Sequence, residues 1–328
     1  MKLVLIYRNR VEGANSIEEL FHTLALELRK KFEVIEYQMG SRSNLLRDIF
    51  NIRQLNADVY HITGDVHYVA CFLPKCKTML TIHDIHHYNY TMRGFKKFIY
   101  KWLYLALPLK SISCLSTISI ATKKVLEQQF NLDIPVHVIA NCYNQEVFIA
   151  QPKEFNHIAP IILQLGTKAN KNLPNLIAAL KGIPCQLVII GRLSTQQLQL
   201  LADNKVNYTN LLNLRLLEIY NNYVQADLVA FVSLSEGFGL PILEAQAVGR
   251  PVITSNFDPM MSVASGAAHL VDPSSIAEIR IGIFKIINDA EYREQLIRAG
   301  FENVKLYSPS STAQQYADLY VSMLSSHE

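Results

Sequence analysis

Short apolar runs alternate with amphipathic stretches along the first half of the chain. KLVLIY at residues 2–7 is typical of a buried strand. Behind it, Ser16 and Glu19 form the S-x-x-E pattern of a capping box, and apolar residues recur at helical spacing as far as Leu28. This alternation of strand and helix predicts a parallel sheet with helices on both of its faces.

The same alternation continues to residue 140 and starts again at residue 161. The predicted strands after the first are FEVIEY, VYHI, TMLTI, CLSTIS and VHVIA in the first half, and IILQLG, QLVIIG, DLVAFVSL and PVITS in the second. Residues 141–160 are polar, contain two prolines and show little periodicity. We therefore predict two Rossmann-like, doubly wound α/β domains that face a cleft, over 1–152 and 153–308. A C-terminal helix over 309–328 could cross back to the first domain.

The composition narrows the class of protein. Half of the 328 residues are hydrophobic and 18% are charged, so each half can bury a core. A net charge of only +3 argues against nucleic acid as the main partner. Five irregularly spaced cysteines without a C-x-x-C disfavour disulfides and zinc, and favour a reducing, cytoplasmic setting. The apolar start lacks a cleavage site, and no apolar run is long enough to cross a bilayer.

A glycine loop in the second half carries the clearest chemistry. It follows the predicted strand 227–234 and opens a short helix at Pro241. Gly237 and Gly239 allow the backbone to approach a ligand, and free N–H groups at the helix start attract a diphosphate. Glu244, about one turn into the helix, can accept two hydrogen bonds from a ribose, and Glu236 can reach hydroxyls further out. Two acids around an anion site indicate a nucleotide-sugar. The alternative is a strand–turn–helix connection with two solvated glutamates.

The string E-G-F-G-L-P-x-L-E-A-x-A-x-G-x-P-V-I, from Glu236 to Ile253, resembles the E-x7-E signature of retaining glycosyltransferases of family 4. EIYNNYVQADLVAFVSL before it and GAAHLVDP after it resemble the same family. The resemblance covers most of the second half densely and the first half thinly. It implies the GT-B fold, with an acceptor-binding first domain and a donor-binding second domain.

The resemblance also implies site residues for the donor. Glu244 would bind the ribose, and Glu236 would hold the transferred sugar. Lys171 would contact the phosphates and stabilise the charge on the leaving diphosphate. The other expected donor contacts are Gly13, Gly166, Thr167, Arg192, Gly237, Phe238, Gly239 and Leu240. Relatives often have arginine at position 167 and glutamate at position 262, where this chain has Thr167 and Ser262. Lys168 or Arg192 could replace the arginine.

Histidines end two strands of the first half. By the resemblance, His83 would face the transferred sugar, which gives an expected catalytic set of His83, Lys171 and Glu236. His61 and Asp84 are expected on the acceptor side. The alternative for each histidine is a surface or core residue. H-D-x-H-H matches no strong metal-ligand spacing, and no D-x-D occurs, so we expect neither a metal nor another cofactor.

One segment of the first half could touch a membrane. Residues 93–108 place lysines and Arg93 on one side of a helix, and Trp102 with other apolar residues on the opposite side. Peripheral contact with the inner face of the cytoplasmic membrane would suit a lipid-linked acceptor. The alternative is an ordinary packed helix whose lysines face water.

Together these features predict a retaining glycosyltransferase that moves a sugar from a UDP- or GDP-sugar to a hydroxyl of a saccharide or lipid-linked acceptor. Analogy suggests bacterial surface polysaccharide or lipopolysaccharide assembly. One alternative is an epimerase on the same fold, or a phosphorylase, for which nothing marks a lysine for pyridoxal phosphate. Another is a non-catalytic partner subunit that binds a nucleotide-sugar, which the departures at Thr167 and Ser262 keep open.

Overall fold

The computed structural model of the chain describes residues 1–9, 16–83 and 101–325. The chain forms two compact units. Met1–Cys142 and Pro309–Glu328 make the first, and Tyr143–Ser308 makes the second. The boundary after Cys142 therefore lies near the start of the polar segment 141–160, earlier in the chain than the expected boundary after residue 152, and the last helix belongs with the first unit.

The first unit is built on a parallel six-stranded sheet with the order β2-β1-β3-β4-β5-β6. Its strands are β1 Lys2–Tyr7, β2 Glu33–Gln38, β3 Val59–Ile62, β4 Thr78–Ile82, β5 Cys114–Thr117 and β6 Val136–Val138. Its α-helices are α1 Ser16–Leu28, α2 Leu45–Gln54, α3 Leu107–Lys110 and α4 Ile120–Gln129. Short 3-10 helices span Arg42–Asn44, His67–Phe72 and Lys75–Lys77, and a π-helix spans Lys101–Ala106.

The second unit repeats this architecture with the strand order β12-β11-β10-β7-β8-β9, again all parallel. Its strands are β7 Ile161–Leu165, β8 Gln186–Ile190, β9 Tyr208–Leu211, β10 Leu228–Phe231, β11 Val252–Ser255 and β12 His269–Val271. Its α-helices are α5 Leu173–Leu180, α6 Thr195–Asp203, α7 Leu216–Gln225, α8 Leu240–Val248, α9 Met260–Ala264, α10 Ile276–Asn288 and α11 Ala290–Lys305. A 3-10 helix spans Ala169–Lys171.

The last helix of the chain, α12 Pro309–Ser325, completes the core of the first unit. Thr312, Tyr316 and Tyr320 are four residues apart, so their side chains lie on one face of the helix. All three are buried, and Tyr316 stacks on Tyr320 with ring centroids 6.1 Å apart. The face packs with Leu3, Leu5 and Phe21 of the first unit. The sheet of that unit is therefore covered on one face by a segment from the far end of the chain.

The predicted central strands are confirmed, and the differences lie at edges and ends. β10 ends at Phe231 rather than at Leu234, because the Leu234 N–H donates to Asn170 O at 2.7 Å instead of joining the sheet. No strand was predicted at β9 or β12, which are the two edge strands of the second sheet. An edge strand pairs on one side only and needs less apolar sequence.

No helix of the described residues combines the length and the apolar character that a bilayer span requires.

Candidate functional site

The loops that follow β7 and β10 meet at the carboxyl edge of the second sheet. Their two strands are neighbours in that sheet. Besides the bond from Leu234 N to Asn170 O, the Asn170 amide donates to Ser235 O at 3.0 Å. Carboxyl ends of parallel strands are where open α/β sheets bind ligands. The two segments predicted to hold the donor are therefore joined directly.

An ion pair lies at the centre of this junction. Lys171 Nζ is 2.6 Å from Glu236 Oε1, and both side chains are largely buried, at 20% and 13% exposure. Asn170 Nδ2 donates to the same carboxylate oxygen at 3.3 Å. Lys171 Nζ also lies 4.8 Å from the centroid of the Phe231 ring. An ammonium group and a carboxylate from two different loops are thus fixed side by side.

The loop after β7 depends on glycine and on two buried amides. Gly166 has a φ of +84°, and a Cβ there would lie 3.0 Å from Lys171 Cγ. The fully buried Gln164 donates to Gly166 O and Lys171 O, each at 3.2 Å. Asn172 donates to Val232 O at 3.0 Å and to Pro273 O at 2.7 Å. Neither amide was among the predicted site residues. The partners of Asn172 lie on other segments, whereas those of Gln164 lie in its own loop.

Helix α8 begins at Leu240, directly after the glycine loop. Gly239 precedes it with a φ of +123° and gives it no side-chain cap. The first N–H groups of the helix therefore have no side-chain acceptor at this position, which suits an anion. Phe238 is buried and its ring meets the Tyr307 ring edge-on at 6.0 Å. The side chain of Phe238 is thus part of the packing, and only its backbone can line a ligand site.

Glu244 is partly buried on α8 and accepts a hydrogen bond from the Tyr223 hydroxyl, 2.6 Å from Oε2. Burial raises the pKa of the Glu244 carboxyl to about 7, against opposing effects of the Tyr223 hydrogen bond and the Lys171 charge. Tyr223 is a functional candidate that the sequence analysis missed. The only sequence signal at this position is the family resemblance of the segment EIYNNYVQAD.

Thr167 and Arg192 lie together at the ends of β7 and β8. The Thr167 hydroxyl donates to Arg192 O at 2.6 Å, and Gln197 Nε2 donates to Thr167 O at 2.8 Å. The Arg192 side chain is exposed. Thr167 therefore uses its hydroxyl to join two loops. At the second departure, Ser262 donates to the carboxylate of Asp258.

In the first unit, the two histidines differ sharply in their surroundings. His61 is fully buried, with Nδ1 2.7 Å from Tyr320 Oη and Nε2 2.7 Å from Thr81 Oγ1. Burial lowers the pKa of His61 to about 3, and His83 acts in the same direction. Because both ring nitrogens are bonded and no ring surface is exposed, His61 is placed as a core residue and not at the surface where we expected an acceptor contact.

His83 keeps part of its surface exposed just after β4. Its Nε2 lies 2.8 Å from Thr63 O, and a carbonyl can only accept, so Nε2 carries the proton. The ring also meets Phe21 edge-on at 6.0 Å. Asp84 and Gly13 lie outside the described residues.

A charged cluster that the sequence analysis missed lies at the same edge of the first sheet. Arg8 follows β1, and its Nε donates to Glu18 Oε1 at 2.7 Å. Its NH1 group donates to Asp65, which follows β3 and keeps 60% of its side chain exposed. Among the described residues, no group of three or more histidine, cysteine or acidic side chains is placed to hold a metal ion.

Comparison with known proteins bears on both units. Residues 147–303, just under half of the chain, match the sequence model of the family described as Glycosyl transferases group 1. The O-antigen chain mannosyltransferase RfbU of Salmonella typhimurium is 27% identical over 239 residues, which are 69% of this chain and 66% of that protein. The O-antigen chain mannosyltransferase B of Escherichia coli is 33% identical over 98 residues, which are 30% of this chain and 26% of that protein. The chain thus spans less than two thirds of both relatives.

Among solved structures, Anabaena HepE in complex with UDP and glucose has a TM-score of 0.77 at 16% identity, and the match covers 97% of this chain and 99% of that one. The fold is therefore that of the GT-B glycosyltransferases, with two Rossmann-like domains. The family match lies wholly within the second unit, which carries Lys171, Glu236 and Glu244. Together with the relatives, it supports a glycosyltransferase of the GT-B fold.

Proposed function

We propose that this chain is a retaining glycosyltransferase, which transfers a sugar from a nucleoside diphosphate sugar, UDP- or GDP-linked, to an acceptor hydroxyl. The observation that carries the proposal is the contact between the loops after β7 and β10, which sets Lys171 beside Glu236 at the start of α8. An ammonium group and free helix N–H groups suit a diphosphate, and carboxylates suit sugar hydroxyls. One edge of one sheet supplies both.

In the donor complex, the diphosphate lies against the amino end of α8 and takes Glu236's place as the main partner of Lys171. Glu236 is thereby released toward the hydroxyls of the transferred sugar. Lys171 and the helix N–H groups stabilise the charge that grows on the leaving diphosphate. The acceptor hydroxyl attacks from the same face and passes its proton to that diphosphate, so configuration is retained.

For the first unit we propose that His83 contacts the transferred sugar. The bond from Nε2 to Thr63 O holds the ring in one orientation. Asp84 stays an expected acceptor contact. We propose no role at the acceptor for His61, since its ring has no exposed surface. We also propose that no divalent ion takes part, because Lys171 and the N–H groups of α8 can supply the positive charge that a metal would bring.

The setting we propose is assembly of a bacterial surface polysaccharide. RfbU and the Escherichia coli relative are both described as O-antigen chain mannosyltransferases, which supports a hexose as the transferred sugar and a growing saccharide as the acceptor. The family match lies within the second unit.

A membrane-facing surface on the first unit is part of the proposal. Phe72, Trp102, Leu103 and Leu107 each keep at least 41% of their surface exposed. Phe72, Leu103 and Leu107 line a cavity of about 390 Å³ together with Leu45, Tyr68, Cys71 and Tyr104. Helices α2 and α3, which contribute to its lining, carry the exposed cations Arg47, Arg53 and Lys110. The acidic residue of α2, Asp48, is buried and accepts hydrogen bonds from Tyr37 Oη at 3.0 Å and from Gly40 N at 2.9 Å.

Apolar side chains among cations suit an anionic bilayer. Residues 93–100 of the predicted amphipathic helix lie outside the described residues. Trp102 is the only tryptophan of the chain, so its fluorescence reports on this surface alone. We expect its emission to move to shorter wavelength with phosphatidylglycerol vesicles and to stay unchanged with neutral phosphatidylcholine vesicles. No change with either would contradict membrane contact.

The proposed function is tested by the melting temperature of the protein with UDP, GDP and their hexose derivatives. We expect one nucleotide class to raise it, because a ligand that binds only the folded state stabilises that state. Release of that nucleotide from the sugar donor, measured with and without saccharide acceptors, then tests transfer. Binding without transfer to any acceptor would favour a non-catalytic subunit, and conversion of the donor alone to a sugar isomer would favour an epimerase.

A further inference from the structure

The residue that fixes Glu244 is itself wholly inside the protein. Tyr223 lies on α7, has no exposed surface, and donates through its hydroxyl to Glu244 Oε2 at 2.6 Å. Among the described residues, no group donates a hydrogen bond to Oε1 of Glu244. One side of the carboxylate is therefore bound internally, while the other keeps its accepting capacity.

The position of Tyr223 is braced from the end of the helix that carries Glu244. Gly249 ends α8, and the next residue, Arg250, is buried. Its guanidinium donates to Tyr223 O at 3.1 Å and to Val224 O at 2.9 Å. Tyr223 thus touches the α8 segment twice, at its hydroxyl and at its carbonyl. The two helices cannot slide past each other without breaking both contacts.

Aromatic packing fixes the ring as well. Phe148 meets the Tyr223 ring edge-on, with centroids 5.5 Å apart and planes at 88°. A buried tyrosine ring held by packing presents its hydroxyl in one place. The hydrogen bond to Glu244 is therefore set by the fold and not by the ligand.

We propose that Tyr223 is a positioning residue, which orients the Glu244 carboxylate and keeps it ionised so that it can accept both hydroxyls of the donor ribose. This inference rests on the proposed function, in which Glu244 binds the ribose. Tyr223 acts through Glu244 and does not touch the nucleotide itself.

The electrostatics support this role. An ionised carboxylate only accepts hydrogen bonds, whereas a protonated one must also donate. Burial raises the pKa of Glu244 to about 7, and the bond from Tyr223 opposes that rise. Burial, and then the charge of Glu244, raises the pKa of Tyr223, so its hydroxyl stays a donor.

The other groups near Glu244 are few. Lys171, from the loop after β7, lowers the pKa of Glu244. The neighbouring strands β10 and β11 and the helix α9 carry no titratable side chain. Helix α11 meets α8 through the uncharged Asn303, at Gln246, and Phe301, at Gly249. The protonation of Glu244 in the free protein thus depends on burial, Tyr223 and Lys171.

The pH dependence has a definite sign. Ribose binding requires the ionised carboxylate, so nucleotide affinity falls as the pH falls through about 7. Removal of the Tyr223 hydroxyl removes one effect that lowers this pKa. The midpoint of the affinity profile therefore moves to higher pH in Tyr223→Phe.

The test is calorimetric titration of the full chain with UDP and with GDP, on both sides of pH 7, for the wild type, Tyr223→Phe and Tyr220→Phe. Tyr220 is a matched control, because it lies on the same helix, also packs on Phe148, and donates to Ile149 O at 3.2 Å, away from Glu244. We expect about a tenfold loss of affinity near neutral pH and an upward shift of the midpoint for Tyr223→Phe, as for loss of a hydrogen bond to a charged group. Tyr220→Phe should change neither.

A double-variant cycle separates positioning from a merely structural role. In a Glu244→Gln background, Tyr223→Phe should cause little further loss of affinity, because the group through which it acts no longer ionises. An equal loss of nucleotide affinity in both backgrounds would overturn the positioning role of Tyr223 and leave the proposed function standing. The same holds if Tyr223→Phe keeps the affinity and the pH midpoint of the wild type. Absence of binding of either nucleotide to the wild type would refute the proposed function and this inference with it.

Discussion

His61 and Glu244 were both expected to contact a ligand, yet they differ in burial and in how many of their polar atoms have partners inside the protein. His61 lies on an internal strand of the first sheet, and both of its nitrogens are bonded to buried hydroxyls. Glu244 has one oxygen bonded to a buried hydroxyl and keeps exposed surface. A polar residue near the carboxyl end of a strand is therefore only a candidate. What decides its role is whether the fold satisfies all of its hydrogen-bonding capacity or only part of it.

The same contrast is seen in the groups around these two residues. At the second sheet, Lys171 and Glu236 come from two loops and meet at partly exposed atoms. At the first, helix α12 covers the face from which His61 projects, through Tyr316 and Tyr320. A helix added from the far end of the chain has thus turned one polar position into core. Glu244 lies on α8, and Tyr223, its internal partner, takes a single oxygen of the carboxylate.

The largest expected effect is the loss of activity when Lys171, at the candidate donor site, is replaced. Lys171→Met should lower donor turnover by about 100- to 1000-fold, the usual loss when one group that stabilises a developing charge is removed. The readout is the steady-state release of the nucleoside diphosphate identified by the melting screen. Lys181→Met is the control, because Lys181 is exposed at the far end of α5, away from this loop. Equal activity of both variants would refute a role for Lys171.

Replacement of His61 should lower the stability of the protein and leave ligand binding unchanged. His61→Ala leaves the hydroxyls of Tyr320 and Thr81 without this partner and opens a cavity, so the free energy of unfolding should fall by about 3 kcal/mol. Denaturant unfolding followed by circular dichroism measures it. Nucleotide affinity, which we propose for the second unit, should stay unchanged.

His22→Ala serves as the control for His61→Ala. His22 pairs with Glu36 at 2.9 Å but keeps 63% of its side chain exposed, so its loss should change stability by less than about 1 kcal/mol. A tenfold loss of nucleotide affinity in His61→Ala would contradict its assignment to the core.

The smallest expected effect is a pH-dependent change in stability when Glu244 is replaced by glutamine. Its raised pKa means that the unfolded chain loses this proton at lower pH than the folded chain does, so the group's contribution to stability is lost as the pH rises toward and through about 7. Glu244→Gln should therefore raise the free energy of unfolding above pH 7 by about 1–2 kcal/mol, and by nothing in acid. It should at the same time weaken nucleotide binding.

Melting curves of Glu244→Gln and the wild type at acidic and at alkaline pH measure this difference. A Gln variant that is no more stable than the wild type at high pH would show that the carboxylate is well solvated. In that case the Tyr223 hydrogen bond would contribute little to keeping Glu244 ionised, and Glu244 would be a solvated carboxylate like Glu236 in the alternative interpretation.

Much of the site could be predicted because its parts are local. Gly237, Gly239 and Pro241 determine a tight turn and a helix start within a few residues, and Glu236 and Glu244 are tied to that turn by their spacing. The loop with Gly166 and Lys171 is local in the same way, since a Cβ at Gly166 would meet Lys171 itself. Short-range geometry of this kind is written directly in the sequence.

The sequence by itself thus determined the two parallel sheets and the glycine loop with Glu236 and Glu244, because strand and helix patterns and turn geometry act over a few residues. The other candidate donor residues came from the family resemblance. Only the tertiary structure decided the partners of the polar side chains. His61 meets Tyr320 across 259 positions of the chain, and Glu244 meets Tyr223 across 21. A hydrogen bond at 2.6 or 2.7 Å depends on where two separate elements pack, and no local pattern records that distance.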